Sequence, residues 1–259
     1  MSEGKKFCAV YAMVKNEINF LPLWIKYYSN LFGMENLYLL DHQSNDGSTE
    51  NLGCNIEVVE NTQMHDNAWM IYQVVKKQAE LLEKYDYVIS VDVDEFIIPD
   101  PNKYENLYEY VSRTKPNVVR CVGYEVVHQR HQELNVLDWN KPILVHQRKY
   151  WINLETYNKP LIGSRPIKWT QGKHYEIGRK SDPTDNDLIL CHLHRIDYEA
   201  AKIKAIKERA YVKESVKDYW PNTMIDDNFN NYFDDPQHIR FGCLEGTLTE
   251  IPERFKGIL

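Results

Sequence analysis

The sequence has no long hydrophobic run: nowhere do about 18 uncharged apolar residues, enough for a membrane-spanning helix, follow one another. The N-terminal segment MSEGKKFCAV also lacks a charged stretch followed by an apolar one, so we expect no integral membrane segment. Five cysteines are scattered along the chain without any CxxC pair, which argues against a zinc ribbon and a disulfide framework. We therefore expect a cytoplasmic protein.

An excess of positive charge is also missing. Lys and Arg number 31 against 38 Asp and Glu, so the net charge is −7. A protein with this balance has no long-range field that would attract DNA, RNA or an anionic membrane, and nucleic acid is not an expected partner. A small anionic ligand is compatible with it, because a divalent cation can neutralise such a ligand locally.

What is present is a globular composition: 259 residues, 43% of them hydrophobic, with only 11 Gly and 11 Pro. In the first hundred residues, short apolar runs alternate with helically spaced segments, the order that builds a parallel sheet flanked by helices. We therefore predict an α/β fold with a mostly parallel sheet. Its first strands are expected at residues 7–14, 37–40, 56–59 and 87–91, and its first helices at 21–31 and 68–82.

The later sequence is less regular. It predicts a short helix at 107–111, then strands at 118–127, 143–151 and 188–196. Asp197 is expected to cap a helix whose inward face carries Ala200, Ile203, Ile206 and Ala210. We predict one domain over residues 1–220, with halves 1–100 and 101–220, and an irregular C-terminal extension or lid over 221–259.

Two acids follow the strand predicted at 87–91. In extended chain, alternate residues face the same way, so Asp92 and Asp94 project together with Cα atoms about 7 Å apart. Such a triplet on its own more often caps a loop or pairs with Lys or Arg. Here the turn at 41–47 ends a neighbouring parallel strand at the same sheet edge, where ligands bind in α/β folds, and paired carboxylates suit Mg²⁺ or Mn²⁺.

Three segments carry a family resemblance: Val14-Lys15-Asn16-Glu17, residues 39–48 (LLDHQSNDGS), and residues 92–96 (DVDEF). Together they resemble a family 2-type glycosyltransferase of GT-A fold, and more narrowly the family 92-like branch with a DxDEF motif. The resemblance implies a nucleotide-binding half over 1–100 and an acceptor half over 101–220. It implies that the nucleotide contacts Asn16, Glu17, Asp41, Asp46 and Asp92, and that Asp94 binds the metal.

The resemblance also implies a late metal-binding histidine. We prefer His192, with His194 and His174 as rivals. The Glu-Asp pair that supplies the catalytic base in many family 2 enzymes is missing after Glu95, so the stereochemistry stays open. We expect the base among four acids, of which the first two are preferred: Glu176, Asp185, Asp182 and Glu125. Six basic residues that could neutralise a diphosphate, most of them expected at the solvated surface, are Arg165, Lys168, Lys173, Arg179, Lys180 and Arg195.

The predicted activity is Mn²⁺- or Mg²⁺-dependent transfer of a sugar from a nucleoside diphosphate sugar, preferentially UDP-linked, to a hydroxyl of a glycan or other acceptor. Sugar-phosphate nucleotidyl transfer is one alternative. It usually needs a glycine-rich first loop, and residues 12–17 contain no glycine. A catalytically inactive relative that binds a nucleotide or glycan is the other alternative.

Overall fold

The computed structural model describes residues 4–60, 67–178, 184–211, 227–234, 240–241 and 244–259. The helices are α1 (Phe20–Phe32), α2 (Asn67–Leu82), α3 (Leu107–Thr114), α4 (Tyr198–Tyr211) and α5 (Asp227–Asp234). The strands are β1 (Lys6–Val14), β2 (Leu37–Asp41), β3 (Asn55–Val58), β4 (Tyr85–Ser90), β5 (Glu95–Pro99), β6 (Val118–Val127), β7 (Tyr150–Asn153), β8 (Pro160–Gly163), β9 (Thr184–Arg195), β10 (Arg240–Phe241), β11 (Leu244–Glu245) and β12 (Leu248–Glu250).

The chain divides into two compact units. The first comprises Met1–Thr62, Asp66–Val122 and Thr156–Leu190, and the second comprises Gln63–His65, Gly123–Glu155 and Cys191–Leu259. The domain division at residue 220 stays a prediction. Of the predicted extension, residues 221–226, 235–239 and 242–243 lie outside the described residues.

The first unit contains a parallel sheet in the order β3-β2-β1-β4. β8 runs antiparallel to β4, and the start of β6 runs antiparallel to β8. The central strands are rich in buried Val, Ile, Leu and Ala, as parallel strands covered on both faces are. The predicted α/β class with a mostly parallel sheet is confirmed.

Helices cover this sheet. In α1, the residues Leu21, Trp24 and Tyr28 are completely buried, and the helix ends at Gly33, whose φ of 86° suits glycine. In α2, Val74 and Leu81 pack into the cluster that holds Tyr11, Val88 and Trp169. α3 begins at the side chain of Asn106, which accepts a hydrogen bond from the backbone N–H of Glu109.

In the second unit, the end of β6 pairs antiparallel with β7, and β7 pairs antiparallel with β12. Trp151 of β7 stacks on Tyr124 with ring centroids 4.2 Å apart. Residues 143–149 do not form the first part of the predicted strand: the N–H groups of Gln147 and Arg148 both donate to the carbonyl of Ile143, which closes a turn. Ile143 is buried through this turn and not through strand pairing.

The helix after Asp197 is confirmed, since its carboxylate accepts from the N–H of Ala200 at 3.0 Å. Its predicted inward face is wrong. Ile203 and Ile206 are 52% and 55% exposed, whereas the alanines at positions 201 and 205 are buried. The phase of α4 follows instead from Tyr198 in its first turn, whose ring packs against Phe229 and Phe233 of α5.

Within the described part of the chain, no helix combines the length and apolar character needed to cross a bilayer. The cysteines at positions 8, 54, 121 and 191 are free thiols, and Cys243 lies outside the described residues.

Candidate functional site

The candidate site begins where three parallel strands of the first unit end. Val14, the last residue of β1, pairs in register with Asp41, the last residue of β2. On the other side, Tyr11 of β1 pairs with Ser90, the last residue of β4. The loops that follow β1, β2 and β4 therefore leave the sheet at the same edge, where open α/β sheets bind their ligands.

Two of these loops are tied together through Asn16. Its backbone N–H donates to Oγ of Ser44 at 3.1 Å, and its Oδ1 accepts from the N–H of Asn45 at 2.8 Å. Asn16 has a φ of 55°, a left-handed conformation that asparagine tolerates better than most residues. The carbonyl of the neighbouring Glu17 accepts from the N–H of Leu21 and so leads into α1.

Asp41 and Asp46 hold the second loop in shape. Asp41 is buried, and its oxygens accept from the N–H of Ser44 at 2.8 Å and from the hydroxyl of Thr49 at 3.0 Å. Oδ1 of Asp46 accepts from the N–H of Ser48 at 3.0 Å. Both acids thus make the local side-chain-to-backbone hydrogen bonds typical of Asx turns. These bonds shape the loop independently of any ligand.

Asp92, which follows β4, lies against two lysines. Its Oδ1 accepts from Nζ of Lys173 at 2.8 Å, and Nζ of Lys159 is 3.9 Å from its Oδ2. Desolvation opposes the charged form of Asp92, but the positive charge of Lys173, followed by that of Lys159, lowers the pKa of the carboxyl. The side chain remains 44% exposed, so an ionised carboxylate with fixed orientation faces solvent at the strand end.

Glu95 completes this cluster. It is fully buried, and its Oε1 lies 2.5 Å from Nζ of Lys159. Its Oε2 accepts from the N–H of Asp92 at 2.9 Å. Burial alone would lower the pKa of Lys159, but the charges of Glu95 and Asp92 raise it. The lysine is therefore a charged partner of both acids, and Asp94, in the same turn, is buried as well.

Sequence reasoning does not identify the two lysines. Lys173 is one of the basic residues expected mostly at the surface, and no motif singles out Lys159, yet both are about 5% exposed. Lys173 has a φ of 60° and follows Gly172 at 66°, so a tight turn directs its side chain inward. The available signal for Lys159 is its position immediately before the fully buried strand β8.

The two preferred candidates for the catalytic base have partners within the first unit. Glu176 makes a two-pronged ion pair with Arg165, with N···O distances of 2.6 and 2.8 Å. Asp185 accepts from the hydroxyl of Tyr110 at 2.6 Å and from the N–H of Asp187 at 2.8 Å. Three further residues named from the sequence, Arg179, Lys180 and Asp182, lie outside the described residues.

Of the histidine candidates, His174 belongs to the first unit. Its Nδ1 lies 2.5 Å from the carbonyl oxygen of Thr156, which can only accept, so Nδ1 carries the proton. Burial lowers the pKa of His174, and the charge of Lys159 lowers it further. A neutral imidazole results, with Nε2 as the nitrogen that can accept.

His192 and His194 belong to the second unit and lie on the same strand, β9. Nδ1 of His192 is 2.5 Å from Oε2 of Glu125, and Oε1 of Glu125 accepts from the N–H of Arg195 at 2.7 Å. Glu125 is completely buried and His192 is 9% exposed. The rings of His192 and His194 stack with centroids 5.8 Å apart, so alternate residues of β9 present two imidazoles on one face.

No protein-family model matches the sequence, and no curated protein matches it. Among solved structures, it is similar to a mannosyltransferase from Pyrobaculum calidifontis in complex with GDP-Man and Mn²⁺, with 12% identity and a TM-score of 0.38 over 80% of this chain. The chain spans 63% of the length of that protein.

Two further solved structures are similar. One is the mannose-1-phosphate geranyltransferase of Thermus thermophilus, with 10% identity and a TM-score of 0.32 over 85% of this chain and 69% of that one. The other is CMP:2-keto-3-deoxy-manno-octonic acid synthetase complexed with CTP, with 10% identity and a TM-score of 0.33 over 83% of this chain and 85% of that one. At this level of similarity, the chemistry has to be inferred from the contacts of this chain itself.

Proposed function

We propose that this protein is a GT-A-type, metal-dependent glycosyltransferase of the family 92-like branch. It moves a sugar from a nucleoside diphosphate sugar, preferentially UDP-linked, to a hydroxyl of a glycan or other acceptor. The observation that carries the proposal is the sheet edge of the first unit, where an Asn16-bridged pair of loops lies beside an ionised, oriented Asp92.

For the donor, we propose contacts with Asn16, Glu17, Asp41, Asp46 and Asp92. Asp92 has the strongest support, because a half-exposed carboxylate held by Lys173 can accept hydrogen bonds from sugar hydroxyls without moving. The cross-loop bonds of Asn16 support a preformed nucleotide site, since a loop that is already ordered loses little entropy on binding.

For the metal, we propose Asp94 and His192 as ligands, with His194 as a further candidate. A carboxylate oxygen with imidazole nitrogens suits Mn²⁺ better than Mg²⁺, which prefers oxygen ligands. The two imidazoles stack on one face of β9, which supports their binding a common ion. When bound to the diphosphate, such a cation offsets the charge that develops on the leaving nucleoside diphosphate.

For the acceptor hydroxyl, Glu176 and Asp185 stay our proposed catalytic bases. Each carboxylate oxygen has a second lone pair, so the bonds from Arg165 and Tyr110 leave capacity to accept one more hydrogen bond. The two-pronged ion pair with Arg165 holds both oxygens of Glu176 and fixes the orientation of its carboxylate. A cytoplasmic location likewise stays a proposal from the sequence.

Calorimetric titration with UDP and GDP, with and without Mn²⁺, tests the proposal. We expect metal-dependent binding that Asp94→Ala abolishes. Asp86→Ala is the matched control, because this exposed aspartate lies on β4 itself, and its removal should leave binding unchanged. Metal-independent binding, or unchanged binding by Asp94→Ala, would contradict the metal site.

Product analysis separates the proposed reaction from its alternatives. Incubation with sugar nucleotides and candidate acceptors should release a nucleoside diphosphate. Release of pyrophosphate from a nucleoside triphosphate and a sugar phosphate would instead identify nucleotidyl transfer. Nucleotide binding with neither product and with no slow donor hydrolysis would identify an inactive relative.

A further inference from the structure

Glu125 is a buried acid that the proposed reaction leaves without a role. It lies on β6 in the second unit and is completely buried. Among the described residues, its carboxylate is bonded by Nδ1 of His192 at 2.5 Å and by the N–H of Arg195 at 2.7 Å. Each oxygen therefore has a different donor, and the carboxylate is fixed at both ends.

The hydrogen bond to Glu125 determines which nitrogen of His192 carries the proton. With a carboxylate oxygen of Glu125 as the acceptor, Nδ1 donates and Nε2 keeps its lone pair on the opposite side of the ring. Histidines that bind metals nearly always donate their other N–H to a carboxylate, a carbonyl or water, which fixes the ring and makes the ligand more basic.

Charge leads to the same assignment. A buried carboxylate is costly unless a positive charge compensates it. The donors to Glu125 are a backbone N–H and an imidazole, and neither has a full positive charge while His192 is neutral. A cation on Nε2 would add a positive charge on the far side of the same ring.

We propose that Glu125 is a positioning residue, which holds His192 in the tautomer and orientation needed to bind a divalent cation through Nε2. This rests on the proposed function, in which His192 is a metal ligand. The carboxylate itself touches neither the cation nor the substrate.

Replacing Glu125 with glutamine isolates this role. Both donors need an acceptor, and a glutamine amide has only one oxygen to offer. If that oxygen accepts from the N–H of Arg195, the amide NH₂ faces His192, Nδ1 becomes the acceptor, and the proton moves to Nε2. The variant keeps nearly the same volume but disfavours the tautomer that binds metal.

The matched control is Glu133→Gln. Glu133 is also a buried glutamate of the second unit, and its carboxylate accepts from the N–H groups of Gln129 and Lys149 at 2.7 and 2.6 Å. The substitution is chemically the same and also removes an acceptor, but the imidazole of His128 contacts the backbone carbonyl of Glu133, which the substitution leaves in place.

The experiment measures Mn²⁺ affinity, through the electron paramagnetic resonance signal of free Mn²⁺, for wild type, His192→Ala, Glu125→Gln, Glu125→Asp and Glu133→Gln. We expect Glu125→Gln to bind Mn²⁺ about 10- to 100-fold more weakly, as loss of such partners usually does. Glu125→Asp should recover part of the loss, and Glu133→Gln should match wild type. In parallel, ¹⁵N NMR of the metal-free protein should show the proton of His192 on Nδ1.

The outcomes separate the role of His192 as a metal ligand from the role of Glu125 as its positioning residue. If His192→Ala leaves Mn²⁺ affinity unchanged, the proposed metal ligand is wrong, whatever Glu125 does. If His192→Ala loses affinity while Glu125→Gln behaves like Glu133→Gln, the positioning role is overturned. Should Glu125→Gln fail to fold, the NMR measurement decides on wild type alone, because a proton on Nε2 of metal-free His192 would overturn the inference.

Discussion

Glu95 in the first unit and Glu125 in the second are both completely buried carboxylates, but the first contacts a lysine and the second a histidine. Glu95 lies 2.5 Å from the ammonium group of Lys159 and 3.9 Å from that of Lys173, so its charge is compensated within the protein. Glu125 lies at the same distance from the imidazole of His192, which carries no full charge when neutral.

The difference shows how the same residue type can serve structure in one place and ligand binding in another. A carboxylate and a buried lysine compensate each other's charge, and removing the lysine takes that compensation away from the carboxylate. A carboxylate that accepts from an imidazole N–H fixes the orientation of the ring and makes its other nitrogen a more basic ligand. Four experiments test this contrast, in order of decreasing expected effect.

The largest effect is expected from Lys159→Met. The change keeps the side-chain length but leaves buried Glu95 with the more distant ammonium group of Lys173, 3.9 Å from its Oε2, so we expect the free energy of unfolding to fall by about 3–5 kcal/mol. Chemical denaturation measures it. Lys103→Ala, which breaks an exposed pair with Asp187, should leave the midpoint nearly unchanged. Equal effects in both variants would show that the buried pair contributes no more to stability than the exposed one.

The next effect concerns metal binding. Mn²⁺ at 100 times its dissociation constant should stabilise wild type by about 2.7 kcal/mol. In Glu125→Gln, affinity weakened 10- to 100-fold reduces this gain to about 0.4–1.4 kcal/mol at the same concentration. Mn²⁺ should stabilise Glu133→Gln as much as wild type, and an equal reduction of the gain in both glutamine variants would contradict the contrast.

The sequence predicted the first unit better than the second. Apolar runs such as the buried residues of β1 and β4 specify parallel strands directly, because both of their faces are covered. In the second unit, two large apolar side chains are not buried. Ile203 and Ile206 are exposed because the packing of Tyr198 on α5 sets the phase of α4. A periodic pattern cannot reveal which neighbour a helix will meet.

The candidate site was predictable in its acids and less so in their partners. The turn residues at 41–47 and the DVDEF segment can be recognised from neighbouring residues alone, because their local hydrogen bonds do not depend on tertiary packing. The pairing of Asp92 with Lys173 joins residues 81 positions apart, and that of Glu125 with His192 joins residues 67 apart. Such contacts depend on tertiary packing, which leaves no trace in sequence spacing.

A third effect comes from a histidine whose hydrogen bonds go to backbone groups. Nδ1 of His128 accepts from the N–H of Tyr198 at 3.1 Å, while its Nε2 lies 3.0 Å from the carbonyl of Glu133. Burial, then the charge of Arg148, lowers the pKa of His128 below 6.5 in the folded state. Acid must therefore protonate the unfolded chain more readily than the folded one.

Stability supported by His128 is fully present above pH 6.5 and is lost as the pH falls through the lowered pKa of the folded state. One such group changes the free energy of unfolding by at most about 1.4 kcal/mol per pH unit. Denaturation of wild type and His128→Phe between pH 7.5 and 5 measures the slope. A variant with the same slope as wild type would assign the acid sensitivity to other groups.

The smallest effect is expected at Asn16, where the side chain and the backbone make separable contributions. Asn16→Gly removes the bond to Asn45 but suits the φ of 55°, whereas Asn16→Ala removes the same bond and adds left-handed strain. Losing the bond should weaken UDP binding about fivefold, roughly 1 kcal/mol. Alanine should weaken it further and lower stability as well. If both variants bind UDP like wild type in calorimetry, the two loops do not need Asn16 to form the nucleotide site, and the proposed preformed site of the first unit loses its support.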